Sequence, residues 1–330
     1  MIPPWHPDSL SARLPALRAR ARLAADTRRF FADRDYLEVE TPYAVAAPGE
    51  DVHIATFRTH QTYPQGGGRD LWLHTSPEFA MKKLLAAGAG RIFQLARVWR
   101  NNEASDTHSA EFTLLEWYRP DGTLIDLMDE TEALLRAVLP QHLVCRGMAI
   151  DLSRFERLTV ADAFTRYVGA DVLGTADDAA ALAREAGVRL RDGEDWEDLF
   201  FRLLLDRVEP AIGQRHPTFL THWPAAQAAL ARRDPADPRV AERFELFAGG
   251  MELANAFVEL TDPVEQRARF AIDRARRHAL YGGPDWDMDE DFLAALTLGL
   301  PPCAGIALGF DRLAMLAAGV DRIDDVLWLP

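Results

Sequence analysis

Residues 93–118, FQLARVWRNNEASDTHSAEFTLLEWY, constrain the fold more than any other segment, because they predict two strands joined by a polar loop. The first strand ends in Arg100, after a short apolar and aromatic run. In the second strand, alternating side chains share one face: Phe112, Leu114, Glu116 and Tyr118. An arginine and polar groups on the same side of a sheet predict a pocket for a substrate that carries both a phosphate and an amine.

Composition and charge narrow the class of protein. A formal net charge of −14 argues against a main surface that grips nucleic acid, since phosphate binding relies on clustered Lys and Arg. Cys145 and Cys303 stand far apart with no Cys/His cluster, so no zinc site is expected. The N-terminus lacks the apolar core of a signal peptide, and the apolar residues 296–310 are too short to span a bilayer. We therefore expect a cytoplasmic protein without a membrane partner.

The remaining pattern predicts a mixed sheet surrounded by helices. Four segments have helical periodicity or helix-start signals: residues 15–34, 124–139, 263–281 and 311–318. Helices and strands follow each other without a βαβ rhythm, and residues 159–212 are acidic and helical in pattern. We predict a mainly antiparallel α+β fold in which residues 1–330 form a single domain and residues 153–213 form a helical insertion.

A Gly-Gly pair at residues 249–250 lies between two strand patterns, which is a strong signal for a tight hairpin. If the glycines form the two-residue turn, Phe247 pairs with Glu252 and Glu245 pairs with Ala254. Glu245 and Glu252 then share a face and, beside a triphosphate, would bind Mg²⁺ through oxygen ligands. The alternative is a solvent-exposed acidic face without a metal.

Asn255 and Glu259 follow on the same strand with the opposite parity, so a regular strand would point them away from Glu252. A β-bulge near Leu253 or Ala254 would bring both sets of side chains into one pocket, and bulges are common beside active sites. We therefore predict a bulge at this point.

Two further segments complete the pattern. Residues 75–78, TSPE, follow a predicted strand and begin a helix by N-cap chemistry. In residues 305–313, an apolar strand meets Gly309 and then a helix that opens with Asp311 and Arg312, where an arginine can reach a phosphate or stack on a planar ring. Each segment alone is a weak signal, but together and in this order they are a strong one.

In this order the motifs resemble the catalytic core of class II aminoacyl-tRNA synthetases, specifically the lysyl branch. The first class II motif is similar to residues 30–42, the second to residues 98–116 and the third to residues 309–312. The resemblance implies a six-stranded antiparallel sheet flanked by helices and a homodimer formed through the first motif. It also implies a reaction of a carboxylate with ATP that gives an acyl-adenylate and pyrophosphate.

Within that branch the chain is most similar to truncated paralogues that modify elongation factor P. The shared patterns TSPE, EWYRP, ELANxFxEL and GxALGxDR lie at residues 75–78, 116–120, 252–260 and 305–312. Too few residues precede Pro42 for an anticodon-binding barrel of roughly a hundred residues. The resemblance implies transfer of (R)-β-lysine or lysine to a lysine side chain of elongation factor P, without tRNA as a partner. Ala307 stands where lysyl synthetases carry glycine, which fits a substrate whose amino group is displaced by one carbon.

The resemblance also assigns roles to residues at matching positions, with ATP and Mg²⁺ as cofactors. Arg100 and Arg312 would be catalytic, with Arg100 on the α-phosphate and Arg312 facing Phe112 across the adenine. The ATP-binding residues would be Arg100, Asn101, Asn102, Glu103, His108, Ser109, Phe112, Glu252, Leu253, Gly309 and Arg312. The substrate-binding residues would be Ser76, Pro77, Glu78, Glu116, Tyr118, Asn255, Glu259 and Ala307. The metal ligands would be Glu245 and Glu252. Without the family context, Tyr118 is better explained as a core tyrosine and Glu78 as a charge at a helix start.

The loop after Arg100 departs from the family pattern. Two asparagines follow the arginine and displace Glu103 by one position, and no arginine precedes His108 in the loop. ATP binding therefore either relies on Glu103, His108 and Arg312 or is weak. Two alternatives stay open: a weak or silent paralogue with a binding or regulatory role, to which this loop points, and a minimal lysyl-type ligase for another acceptor.

Overall fold

One large sheet organises the chain, of which the computed structural model describes residues 3–283 and 286–330. The strands are β1 (Leu37–Glu38), β2 (Ala44–Val45), β3 (Phe57–Thr62), β4 (Gly68–Leu73), β5 (Ile92–Trp99), β6 (Glu111–Pro120), β7 (His142–Cys145), β8 (Met148–Asp151), β9 (Glu156–Thr159), β10 (Thr218–Pro224), β11 (Val240–Ala248), β12 (Met251–Val258) and β13 (Cys303–Gly309). The large sheet has the order β1-β5-β6-β13-β12-β11-β10-β9, while β2-β4-β3 and β7-β8 form separate small sheets.

The six central strands, β5-β6-β13-β12-β11-β10, are antiparallel to their neighbours. The short strands β1 and β9 pair in parallel with β5 and β10 at the two edges. The predicted mainly antiparallel six-stranded core is therefore confirmed, with one parallel strand added at each edge.

Helices surround this sheet. They are α1 (Pro7–Ala32), α2 (Glu78–Ala86), α3 (Leu124–Val138), α4 (Val160–Tyr167), α5 (Ala179–Glu185), α6 (Trp196–Leu203), α7 (Pro263–Tyr281), α8 (Glu290–Gly299) and α9 (Phe310–Ala318). The predicted helix at residues 263–281 is confirmed to the residue. The predicted start of the first helix at residue 15 is wrong, because Pro7 occupies the first turn and the His6 ring accepts a hydrogen bond from the N–H of Asp8.

The two faces of the sheet differ in what packs against them. Helices α1, α3 and α9 cover one face and form the main hydrophobic core, to which β6 contributes Leu115 and Trp117. Because side chains alternate along a strand, Glu116 and Tyr118 turn to the opposite face. A buried ion pair between Arg20 of α1 and Asp311 of α9 ties the covering helices together, and Asp311 also accepts a hydrogen bond from the N–H of Thr113. The main core therefore lies on one face of the sheet, and the side chains of Glu116 and Tyr118 lie on the other.

The hairpin β11-β12 contains the predicted bulge. Phe247 pairs with Glu252 as predicted, but Leu246 pairs with Ala254, so Leu253 is an extra residue without a partner on β11. The pairing of Glu245 with Ala254, expected for a regular hairpin, is wrong because the bulge moves the partner of Glu245 on by one residue. Residues on either side of Leu253 therefore point into the same cavity.

Helices α4, α5 and α6 form a second hydrophobic cluster. It joins the sheet through Leu220 and Trp223 of β10 and Phe247 of β11. Residues 153–213 as a helical insertion in a single domain stay a prediction. Across residues 3–283 and 286–330, no helix combines the length and apolarity that a bilayer crossing requires.

Candidate active site

A cavity of about 410 Å³ lies on the opposite face of the central strands, beside a smaller apolar cluster in which α2, α7 and α8 pack against Tyr118. It draws its walls from β6, β12 and β13, from the loop that follows β5, and from the starts of α2 and α9. Sixteen of the predicted site residues line it: Ser76, Glu78, Arg100, Glu103, His108, Ser109, Phe112, Glu116, Tyr118, Glu252, Leu253, Asn255, Glu259, Ala307, Gly309 and Arg312. Residues predicted from the sequence therefore make up most of the cavity wall.

The other four predicted site residues, Pro77, Asn101, Asn102 and Glu245, do not line this cavity. Pro77 is the N-cap residue of α2, and the capping hydrogen bond comes from Ser76, whose Oγ accepts from the N–H of Glu78 at 3.0 Å. The Asn101 side chain accepts from the N–H of Asn102 at 2.9 Å, where the backbone is left-handed with φ 66°. The two asparagines therefore shape the loop, and nucleotide contacts from them stay a prediction.

Two arginines face the end of the cavity nearest the loop. The Arg100 guanidinium carbon lies 5.2 Å from the centre of the Phe112 ring, and the Arg100 Nε is buried without a hydrogen-bond partner among the described residues. Arg312 donates from Nη1 to the backbone carbonyl of Glu252 at 2.6 Å and from Nη2 to His108. Two cations beside an aromatic ring make this end suited to an anion attached to a planar base.

His108 is neutral at physiological pH. Burial, together with the charges of Arg312 and Arg100, lowers the pKa of this imidazole to about 4. Its Nδ1 lies 2.7 Å from Ser105 Oγ, and the Ser105–His108 bridge closes the loop on itself. The loop is anchored further by the N–H of Ile323, which donates to the carbonyl of Asp106 at 2.8 Å. The loop after Arg100, which departs most from the family pattern, is therefore held by hydrogen bonds and forms part of the cavity wall.

Three carboxylates gather at the other end of the cavity, from Glu78, Glu116 and Glu259. Ser76 Oγ donates to Glu116 Oε1 at 2.7 Å, and Tyr118 OH donates to Glu116 Oε2 at 3.4 Å. Burial, with the nearby charge of Glu78, raises the pKa of Glu116 to about 8. Burial likewise raises the pKa of Glu259 to about 8, although a neighbouring ammonium opposes the rise. Such a pocket has more acidic than basic groups and favours an occupant that supplies further positive charge.

Lys82, which sequence reasoning missed, is that ammonium. It is only 1% exposed, and its Nζ lies 2.5 Å from Glu259 Oε2 and also pairs with Glu78. Burial alone would lower the pKa of Lys82, but Glu259 and Glu78 together raise it above its ordinary value. With every group ionised, three carboxylates and one ammonium leave a surplus of two negative charges. The available signal was the i,i+4 spacing from Glu78, which is common on solvent-exposed helices and therefore weak.

Gly305 lets β13 approach this end closely. A Cβ atom at this position would lie 2.4 Å from Glu259 Oε1 and 2.4 Å from Tyr118 Cε1, well inside van der Waals contact. The glycine is therefore required by space, since its φ is not in the left-handed region.

Carboxylates also gather around Glu252, near the middle of the cavity. Burial and the charge of Glu252 raise the pKa of Glu245, whose Oε1 accepts a hydrogen bond from Arg243 at 2.6 Å. Burial and the charge of Glu252 also raise the pKa of Glu209 to about 7. Glu209 is a residue that sequence reasoning missed, and it follows directly on a π-helical turn at Leu204–Val208.

This oxygen-rich set fits Mg²⁺ in its usual protein setting. Within the described ranges, no three His, Cys, Asp or Glu side chains are grouped to hold an ion by themselves. Mg²⁺ is commonly bound by one or two carboxylates together with substrate phosphates, so a complete protein cage is not required. Glu252 lines the cavity directly, whereas Glu245 lies behind it and is partly engaged by Arg243.

Comparisons with known proteins agree with this geometry. The sequence model of a family described as tRNA synthetases class II (D, K and N) matches residues 11–330. An elongation factor P–(R)-β-lysine ligase of Proteus mirabilis (strain HI4320) is 46% identical over 336 residues, which cover 100% of this chain and 98% of that protein. Proteins of the same name from Hamiltonella defensa (strain 5AT) and Salmonella paratyphi B (strain SPB7) are 44% and 45% identical, over 99% and 98% of this chain and 97% and 96% of theirs.

Proposed function

Because this chain belongs to the class II tRNA synthetase family, we propose that it is an ATP-dependent ligase that adenylates (R)-β-lysine, or lysine, and transfers it to a lysine side chain of elongation factor P. One observation carries the substrate class: the pocket of Glu78, Glu116 and Glu259 holds the single ammonium of Lys82, so with all three carboxyls ionised it has a surplus of two negative charges. A diamino acid brings two ammonium groups, which match this surplus.

ATP binds at the end of the cavity that holds the two arginines. Arg100 binds the α-phosphate, where negative charge builds as the substrate carboxylate attacks and pyrophosphate departs. Arg312 and Phe112 hold the adenine between them, with His108 supporting Arg312 by accepting its hydrogen bond. A neutral imidazole suits this task because it can accept the hydrogen bond from Arg312 and adds no positive charge beside the two arginines.

Mg²⁺ is the second cofactor we propose. Glu252 would hold it from the cavity wall, with Glu245 behind, and the ion would neutralise charge on the phosphates. Burial, followed by the negative charge of Glu252, raises the pKa of the Glu245 carboxyl, and a bound cation would offset the second of these causes.

The amino acid occupies the carboxylate end. Glu78, Glu259 and Tyr118 bind its ammonium groups, and Asn255 lies near its carboxylate. Ala307 pairs with Asn255 on one side and with Glu116 on the other, so its methyl group stands between the carboxylate and ammonium ends of the substrate. A methyl at that position favours an amino group displaced by one carbon, which is the difference between β-lysine and α-lysine.

The experiment combines purified protein, ATP, elongation factor P and either (R)-β-lysine or α-lysine. Intact mass spectrometry should show elongation factor P gaining one aminoacyl group, with (R)-β-lysine the better substrate. Arg312→Met should abolish the gain, whereas Arg166→Met, an exposed arginine outside the cavities, should not. No gain with either amino acid would refute the proposal.

Pyrophosphate exchange separates the remaining alternatives. A silent paralogue would show no exchange that depends on a lysine-like acid, and a ligase for another acceptor would show exchange without modifying elongation factor P. A homodimer formed through residues 30–42 is part of the proposal, and light scattering of the purified protein tests it.

A further inference from the structure

A second cavity, of about 210 Å³, has no role in the proposed activation step. It shares wall residues with the first cavity: Asp51, Ser76, Glu78, Leu230, Asn255 and Phe257. Asn255 is the residue proposed to lie near the substrate carboxylate. The two cavities therefore meet at the group that becomes activated.

The second cavity has acidic and apolar walls, and Arg243, the one arginine among the described residues that lines it, is bound to Glu245 and Asn255. Of its acidic residues, Glu50 is bound by Arg274 at 2.9 and 3.1 Å and Glu197 is paired with Arg276. The side chains of Asp51 and Asp273 differ, because they make no hydrogen bond or ion pair to any residue in ranges 3–283 and 286–330, although the charges of Arg277 and Arg269 act on them. Burial and the charge of Asp51 raise the pKa of Asp273 to about 6.

Apolar side chains line the second cavity together with these acids. Leu230 and Phe257 belong to the shared wall, and Phe201 of α6 and Phe270 of α7 line the second cavity. Carboxylates combined with apolar surface match a primary ammonium on an aliphatic stem, which is the chemistry of a lysine side chain.

Gln227 supplies an independent indication of a ligand. It lines the second cavity, is only 9% exposed, and its Nε2 has no hydrogen-bond partner among the described residues. A buried donor without a partner is costly, so it points to an occupant that supplies an acceptor. The backbone carbonyl of an extended peptide is such an acceptor.

We propose that the second cavity admits the acceptor lysine of the modified protein, with its ammonium beside Asp51 and Asp273 and a neighbouring backbone carbonyl bound by Gln227. This inference rests on the proposed function. The lysine nitrogen attacks the activated carboxyl carbon, and a C–N bond forms as the C–O bond to AMP breaks. AMP departs with the bonding electron pair, and the protons that the ammonium loses pass to Asp273 and from it to water.

The test measures two steps in the same protein. Pyrophosphate exchange with (R)-β-lysine reports activation, and the mass gain of elongation factor P reports transfer. The deciding quantity is the ratio of the transfer rate to the exchange rate, since a general loss of folding lowers both. Hydroxylamine, a small nucleophile that needs no lysine cavity, replaces elongation factor P in a parallel reaction.

Asp273→Asn and Gln227→Leu should lower the ratio at least about tenfold, the loss expected for one charge-assisted or buried hydrogen bond, through a higher KM for elongation factor P. Asp273→Glu keeps the carboxylate and should restore part of the ratio. Asp177→Asn makes the same change at an exposed residue outside the cavities and should leave the ratio unchanged. The rate at which hydroxylamine traps the activated amino acid should not fall together with the rate of transfer to elongation factor P.

Each outcome has one meaning. An unchanged ratio in both variants overturns the acceptor cavity, and so does a loss of hydroxylamine trapping that parallels the loss of transfer. A wild-type protein that fails to exchange pyrophosphate, or that exchanges it without modifying elongation factor P, instead overturns the proposed function on which the inference rests.

Discussion

Raising the pH from neutral is expected to destabilise the unliganded protein through two buried carboxyls. Glu116 and Glu259 are each 1% exposed, and burial raises the pKa of each from 4.5 to about 8. The folded protein therefore holds protons that the unfolded chain has already released at pH 7. This stabilisation is present at low pH and is lost as the pH rises through the folded pKa.

The magnitude follows from linkage. Between about pH 7 and about pH 9, a carboxyl with a folded pKa of about 8 lowers the free energy of unfolding by about 1.4 kcal/mol, because the folded protein releases most of its retained proton over this interval. Two such groups predict a loss of about 3 kcal/mol over this interval.

Urea unfolding at the two pH values measures this loss directly. Glu116→Gln and Glu259→Gln should each remove about half of the pH dependence, because a glutamine does not titrate. Glu290→Gln is the matched control, since Glu290 is exposed and a hydrogen bond from Arg267 lowers its pKa. Equal unfolding free energies at both pH values, or full pH dependence in both variants, would refute the reasoning.

Three substitutions test other parts of the site. Gly305→Ala places a Cβ atom 2.4 Å from Glu259 Oε1 and should raise the KM for the amino acid at least about tenfold in pyrophosphate exchange, with the KM for ATP unchanged. A KM for the amino acid equal to that of the wild-type protein would contradict the steric argument. Lys82→Met leaves Glu78 and Glu259 without their buried partner and should lower the free energy of unfolding by about 3–5 kcal/mol in urea, whereas a change below about 1 kcal/mol would show that the ion pair is not structural. Glu252→Gln should raise the Mg²⁺ concentration needed for half-maximal exchange about tenfold, and an unchanged requirement would exclude this residue as a ligand.

The sequence predicted the parts of the site that depend on strand periodicity. Alternation along β6 was sufficient to place Glu116 and Tyr118 on the cavity face, because a strand has a fixed period of two. The bulge at Leu253 could be predicted since chemically related residues on β12 had conflicting parity. These are local properties, and local reasoning recovers them.

Other features depend on contacts between distant segments and were missed. Lys82 is buried only because α2 packs where Glu259, at the end of another strand, can meet it. Glu209 follows a π-helical turn, which shifts the helical phase in a way that periodicity does not reveal. The second cavity draws its walls from seven separate segments between Pro48 and Asp273, so no single sequence motif predicts it.

The bulge at Leu253 divides one strand into two independently adjustable halves. In the proposed function, the half before it carries Glu252 and serves the nucleotide, and the half after it carries Asn255 and Glu259 and serves the amino acid. Regular pairing with Leu253 retained would turn the second half toward the hydrophobic core while leaving Glu252 in place, so the extra residue is what keeps both halves facing the cavity. Substitutions after the bulge can therefore change which amino acid is accepted while the chemistry of ATP is inherited intact.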